Sequence, residues 1–181
     1  MPSSLELFKK YVSEYFVETG SYVGNGIQFA IDAGFKNIYS IELSDKYIEH
    51  CQKRFLDNKV VKIFKGDSGI VLYDIIKDIE NRITFWLDGH HSCGDTALGC
   101  AWTPLMHELD LIARHPRKDH IIMIDDMICW EKENPVIGFG INEIQKKILE
   151  INPKYTFEYQ SGHWGETYCD KYVLIAIIKE S

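Results

Sequence analysis

The 181-residue sequence predicts an α/β fold built on a doubly wound, mostly parallel sheet of seven strands. Three observations carry that prediction. Strand-like and helix-like segments alternate from end to end, with no repeat, low-complexity tract or Pro/Ser-rich linker between them. Apolar runs such as IIMI (121–124) and VLIAII (173–178) suit strands buried on both faces. Only ten residues separate the last two strand segments, too few for a helical crossover, so that pair runs antiparallel.

The elements follow in order. Residues 14–18 (EYFVE) read as the first strand, which ends in the Gly-rich GSYVGNG at 20–26. A short helix over about 26–33 comes next, with Ile27, Ala30 and Ile31 on one face and Gly34 at its end. NIYSIEL (37–43) is the second strand. Ser44 is placed as an N-cap, and Tyr47, Ile48, Cys51 and Phe55 recur at helical spacing. KVVKIFKGD (59–67) is the third strand, and Ser68 is placed as the cap of a helix carrying Ile70, Val71, Ile75 and Ile79. RITFWLD (82–88) is the fourth. After a Gly-, His- and Cys-rich connection, Thr103-Pro104 opens a helix with the stripe Leu105, Leu109 and Ile112. HIIMIDD (120–126) is the fifth strand, Ile137, Ile141, Ile144 and Ile148 form another helical stripe, and YTFEYQ (155–160) and KYVLIAII (171–178) close the chain. The SGHWGETYCD segment (161–170) between them is long for a hairpin loop and is expected to form a substrate wall.

Composition excludes several function classes. Twenty basic residues stand against 27 acidic ones, a formal net charge of −7, which disfavours a domain that holds nucleic acid by its charge. No apolar run approaches the ~20 residues of a membrane-spanning helix, and the start, MPSSLELFKK, has no secretory apolar stretch. Five cysteines, an odd number without CxxC pairs, read as reduced thiols in a cytoplasmic compartment. Residues 1–181 are expected to form a single domain.

In open sheets of this kind, ligands bind beyond the carboxyl ends of the strands. Acidic residues occupy five successive ends: Glu18, Glu42, Asp67, Asp88 and the pair Asp125-Asp126. The glycines after strand one, Gly20-x3-Gly24-x-Gly26, let a ligand approach the backbone, although the spacing is not the GxGxxG of a dinucleotide site. Glu42, 16 residues beyond Gly26, suits both hydroxyls of a ribose, and Asp67 suits an adenine amino group. Plainer roles compete: Gly24 and Gly26 as a tight turn, Glu42 as a solvated strand end, and Asp67-Ser68 as a helix cap. An NAD site is a further competitor, but it lacks the glycine spacing and has to accommodate the seventh strand.

With these residues in place, the chain resembles the class I S-adenosylmethionine-dependent methyltransferases. VETGSYVGNG stands as the Gly-rich motif, IEL as the acidic end of strand two and KGDSG as the turn after strand three, with the terminal hairpin completing the pattern. The resemblance implies a Rossmann-like sheet of order 3-2-1-4-5-7-6. It implies Glu18 and Gly20 near the methionine portion of the cofactor, Ser21, Gly24 and Gly26 among its further contacts, Glu42 at the ribose, and Asp67 and Ser68 at the adenine.

LDGHHS (87–92) and IDDM (124–127) close two strands expected to be neighbours, so Asp88, Asp125 and Asp126 converge. Clustered carboxylates repel unless a cation, protons or bases intervene, and an all-oxygen set suits Mg²⁺ or Mn²⁺, with Ca²⁺ as a further option. The pattern resembles metal-dependent sugar O-methyltransferases, which have an aspartate after strand four and an Asp-Asp pair after strand five. Where their strand-four motif commonly reads Asp-Gly-Asp, this chain has Asp88-Gly89-His90, so the resemblance puts His90 at the general base. Asp88 would also approach the cofactor. The chemistry asks for such groups: a sugar hydroxyl is a poor nucleophile, a bound cation lowers its pKa, and a base removes its proton.

Competing roles exist here too. Asp125 or Asp126 can cap the following turn, and a metal-free enzyme can work with His90 alone. His91 is a second ligand, a substrate contact or a loop residue. A zinc reading of His90, His91, Cys93 and Asp95 lacks a clear fourth partner. Trp102, Trp130, His163 and Trp164 are candidate contacts to a sugar acceptor, with packing as the alternative for the tryptophans. The resemblance therefore implies methylation of a sugar or glycan hydroxyl, with a catechol-like acceptor or a catalytically silent cofactor-binding module as alternatives. It also suggests either a minimal enzyme or one domain of a longer chain carrying glycosyltransferase domains.

Overall fold

The computed structural model describes residues 5–90, 97, 99, 101–130, 137–164 and 166–179. A seven-stranded sheet of order β3-β2-β1-β4-β5-β7-β6 organises the chain, as the sequence predicts. Its strands are β1 (Tyr15–Thr19), β2 (Asn37–Glu42), β3 (Val61–Lys65), β4 (Ile83–Leu87), β5 (Ile121–Ile124), β6 (Thr156–Trp164) and β7 (Thr167–Ile177). The first five pair in parallel, and β7 runs antiparallel to both β5 and β6.

Helices α1 (Leu5–Lys10), α2 (Asn25–Ala33) and α3 (Asp45–Arg54) cover one face, and α4 (Ser68–Ile76), α5 (Leu105–Arg114) and α6 (Ile141–Ile151) cover the other. Alternation along each strand explains the two cores. Phe16 and Trp86 point to the first face, where they meet Phe8 and Ile27. Val17, Phe85 and Leu87 point to the second, among Leu72, Leu109, Ile112 and Ile148. Every residue of β4 is buried, as a central strand with apolar residues on both faces requires.

Four details depart from the sequence reading. Residues 161–170 are largely strand rather than a loop: after a register shift between Gln160 and Gly162, pairing resumes at Gly162–Cys169 and continues to Trp164–Thr167. The cap of α4 is Asp67, whose carboxylate accepts the Gly69 N–H at 3.0 Å, and Ser68 is left to bond elsewhere. Ser44 makes no side-chain cap bond to α3. The short helix α1, which carries no periodic signal in the sequence, is held by Leu7 and Phe8 in the core.

At the amino-terminal edge of the central strands, His115 and His120 are wholly buried. His120 Nδ1 accepts the Ile83 N–H at 3.1 Å, so the ring proton of the neutral form sits on Nε2, 2.9 Å from His115 Nδ1. Burial, reinforced by His115, pulls the His120 pKa down to about 3. The unfolded chain takes up this proton near 6.5 and the folded chain only near 3, so the stability contributed by neutral His120 is complete above pH 6.5 and is lost as the pH falls toward 3. The expected result is that the difference in urea midpoint between the native chain and His120→Gln is largest above about pH 7 and shrinks by about pH 4. A difference independent of pH contradicts this assignment.

Among the described residues, no helix is long and apolar enough to cross a membrane.

Candidate functional site

The strand order turns back on itself between β1 and β4, which opens a crevice at the carboxyl end of the sheet. Backbone bonds extend the ladder one residue beyond each strand: Gly20 N–H to Ile41 O, Gly66 N–H to Glu42 O, Asp88 N–H to Thr19 O and Asp125 N–H to Leu87 O. These bonds line up Glu42, Gly20, Asp88 and Asp125 along one rim. A cavity of about 580 Å³ opens there, and both the β1–β3 acids and the β4–β5 acids line it.

The β1–β3 side is built by the Gly-rich turn. Gly20 holds φ +82, and a Cβ there would stand 2.5 Å from the Asp88 carbonyl oxygen, so only glycine lets the turn lie against β4. Glu42 fastens this wall. Its Oε2 accepts the Tyr22 N–H at 2.9 Å, and its Oε1 accepts the N–H groups of Leu43 and Ser44 at 2.9 and 2.8 Å. Tyr22 itself has φ +46, a conformation that a non-glycine residue holds at a cost. Each carboxylate oxygen can accept two donors, so Glu42 Oε2 keeps capacity for a ligand hydroxyl.

Glu18 lies beneath, buried, and accepts the Ser40 hydroxyl at 2.6 Å; the Ser21 hydroxyl is 2.6 Å from that of Ser40. Burial drives the Glu18 carboxyl up to about 8 against the counter-effect of the Ser40 bond. Gly26 faces it so closely that a Cβ would come within 1.7 Å of Glu18 Oε1. Gly24, by contrast, faces the Phe55 ring and Cys51 Sγ, not the cavity. Asp67 lines the far end, with Oδ2 turned toward Gly99.

On the β4–β5 side, Asp88, His90 and Asp126 offer ligand atoms that all lie within 4.8 Å of one another. His90 sits between the two acids, with Nδ1 3.4 Å from Asp88 Oδ1 and Nε2 3.2 Å from Asp126 Oδ2. Asp125 lines the same cavity, but its Oδ1 accepts the Asp126 N–H at 2.9 Å, outside the three-residue cluster. Burial, then the charges of Asp125 and Asp126, push the Asp88 carboxyl well above the usual carboxylate range. Burial and Asp126 raise Asp125 to about 7. Such a group binds protons or a cation more readily than it bears bare charge. Two carboxylates with an imidazole form a donor set that fits a first-row divalent ion such as Mn²⁺ better than Mg²⁺.

The expected acceptor contacts divide. Trp102 is half-exposed between cavity-lining Ala101 and the start of α5. Trp130 is a packing residue and not an exposed acceptor contact: the 3₁₀ turn Met127–Trp130 buries it to 2 % exposure, its ring stacks on Phe139 at 5.4 Å, and it stands perpendicular to the His90 ring. His163 is exposed on the hairpin beside Tyr168 and does not line the cavity. His91 and the side chain of Trp164 lie outside the described residues, as do Cys93 and Asp95.

Two site residues escape the sequence reading. Tyr172 on β7 lines the cavity and donates its hydroxyl to Asp126 Oδ1. Glu108 on α5 is buried and bonded to Ser68. Its place three residues after Leu105 and four before Ile112 marks it as a member of the buried stripe, a signal present in the sequence.

The fold is the Rossmann-like methyltransferase fold. The sequence matches no family model and no curated protein. Solved structures share the fold at low identity. An O-methyltransferase of tomaymycin synthesis from Streptomyces achromogenes, in complex with S-adenosylmethionine, superposes with a TM-score of 0.69 at 10% identity, over 97% of this chain and 78% of its own. An O-methyltransferase from Bacillus cereus in complex with S-adenosylhomocysteine gives 0.68 at 12%, over 97% and 78%. A Podospora anserina methyltransferase bound to S-adenosylhomocysteine gives 0.61 at 13%, over 97% and 76%.

Proposed function

We propose that this chain is an S-adenosylmethionine-dependent O-methyltransferase that methylates a hydroxyl of a sugar or glycan with the help of a divalent cation. One observation carries the reading: a single cavity is walled by Glu18, Glu42 and Asp67 on one side and by Asp88, His90 and Asp126 on the other. The cofactor-bound state of fold neighbours supports it.

The Gly20 turn, Glu42 and Asp67 would hold the methionine, ribose and adenine portions in turn, and Asp88 and Asp126 would hold the cation. Bound there, the cofactor supplies an electrophilic methyl carbon and the cation lowers the pKa of the acceptor hydroxyl. A neutral imidazole has one N–H, so His90 donates to one flanking carboxylate and keeps its other nitrogen to take the hydroxyl proton. Tyr172 holds Asp126, which stands at φ +53, in the orientation that faces His90. An acidic cavity with exposed Trp102 beside it suits the hydroxyls and apolar face of a sugar.

The gathering of ligand atoms favours a second reading of one residue, His90 as the third cation ligand in place of the base. Titration with Mn²⁺ followed by electron paramagnetic resonance separates the two: His90→Ala leaves the affinity unchanged if His90 is the base and lowers it about tenfold or more if it is a ligand. The function itself is tested by labelled methyl transfer to sugars, glycans and catechols, with and without a chelator. Transfer to a sugar that a chelator suppresses is the expected result. Transfer to catechols alone removes the sugar acceptor, and cofactor binding without any transfer makes the chain a silent module.

A further inference from the structure

A buried carboxylate behind the cavity wall takes no part in the proposed transfer. Glu108 is 1 % exposed, and its Oε1 accepts the Ser68 hydroxyl at 2.6 Å. Thr19 lies close by, and its Oγ1 accepts the Asp88 N–H at 3.2 Å. Glu108 thus holds the side chain of Ser68, the first residue of α4, beside Asp67. The backbone of Gly89 rests on this group: a Cβ there would lie 3.1 Å from Glu108 Oε1, 3.1 Å from Pro104 Cγ and 3.2 Å from Ser68 Oγ.

We propose that Glu108 is a positioning residue that seats the Asp88–Gly89–His90 turn against the Asp67–Ser68 wall and so fixes the distance between the methyl donor and His90. The inference rests on the methyl-transfer reading. The Ser68 hydroxyl rotates freely unless an acceptor holds it, and Glu108 Oε1 supplies that acceptor. An apolar residue would complete the Leu105–Leu109–Ile112 stripe without the desolvation cost of a buried acid. The acid touches the turn that carries His90, and transfer rates are sensitive to ångström-scale displacement of reacting groups.

The test compares Glu108→Ala, Glu108→Gln and Gly89→Ala with the native chain in steady-state methyl transfer, with thermal melts to confirm folding. Expected is a graded fall in kcat, about threefold for Gln, which keeps one acceptor oxygen, and about tenfold or more for Ala, with the KM for the methyl donor within about twofold. Gly89→Ala, which lifts the turn from the other side, lowers kcat in the same way, and its effect is less than additive with Glu108→Ala. If Glu108→Ala does not fold, Glu108→Gln and Gly89→Ala decide alone. Unchanged kcat in folded variants overturns the positioning role, as does a loss confined to the donor KM. If the native chain binds S-adenosylhomocysteine but transfers no methyl group, or binds none, the functional reading falls first and takes this inference with it.

Discussion

Replacing His90 with alanine is expected to lower the rate of methyl transfer by about 10²–10⁴-fold while leaving the affinity for S-adenosylhomocysteine within about twofold. The large loss follows from its place between Asp88 and Asp126, 3.4 and 3.2 Å away, where its ring is the sole nitrogen base of the three-residue cluster. The small change in affinity follows from the separation of tasks within the cavity, because the residues assigned to the nucleoside lie on β1 to β3 and in their turns. Single-turnover rates and calorimetry on the same preparation give both quantities. Equal rates in the two chains remove His90 from the chemistry, and a parallel collapse of cofactor affinity assigns it to the wrong wall.

Glu42→Ala is expected to do the reverse, lowering the affinity for S-adenosylhomocysteine by about 100-fold or more. Three backbone N–H groups converge on this carboxylate, and two of them belong to the chain leaving β2. The third fixes Tyr22 at φ +46, the strained centre of the Gly-rich turn. On the proposed reading, removing the acid takes away the ribose acceptor and releases the turn that walls the cavity. Stability should fall as well, by about 2 kcal/mol, since bonds to a charged acceptor contribute roughly 1.5–3 kcal/mol each and water replaces part of the loss at a cavity wall. Calorimetry and urea unfolding measure the two effects. Unchanged affinity shows that the ligand does not lean on Glu42.

Much of this site is legible because strand ends are legible. Runs such as ITFWL and IIMI announce strands buried on both faces, and the residue that ends such a run is placed at the sheet's rim by geometry alone. Glu42, Asp67, Asp88, Asp125 and Asp126 are found that way, and all line the cavity. What the sequence hides is the direction of each side chain once the strand has ended. Gly24 and Gly26 are equivalent letters in one turn, yet one faces Phe55 and the other Glu18. Asp125 and Asp126 are adjacent, but the first accepts its neighbour's N–H while the second faces His90 and Tyr172. Trp130 is aromatic and near the rim, and only the packing of a 3₁₀ turn sends it into the core. The SGHWGETYCD segment reads as a loop because it lies between the two apolar strand runs, whereas the register shift before Gly162 absorbs the irregularity and the strands continue.

The most direct measurement is calorimetric titration of the native chain with S-adenosylhomocysteine, with NAD titrated in parallel. Saturable one-to-one binding of the former at micromolar concentrations or below, about −8 kcal/mol or stronger, with no comparable heat from the dinucleotide, is the result expected of the cavity described here. Preferential binding of NAD, or no binding of S-adenosylhomocysteine at all, contradicts it.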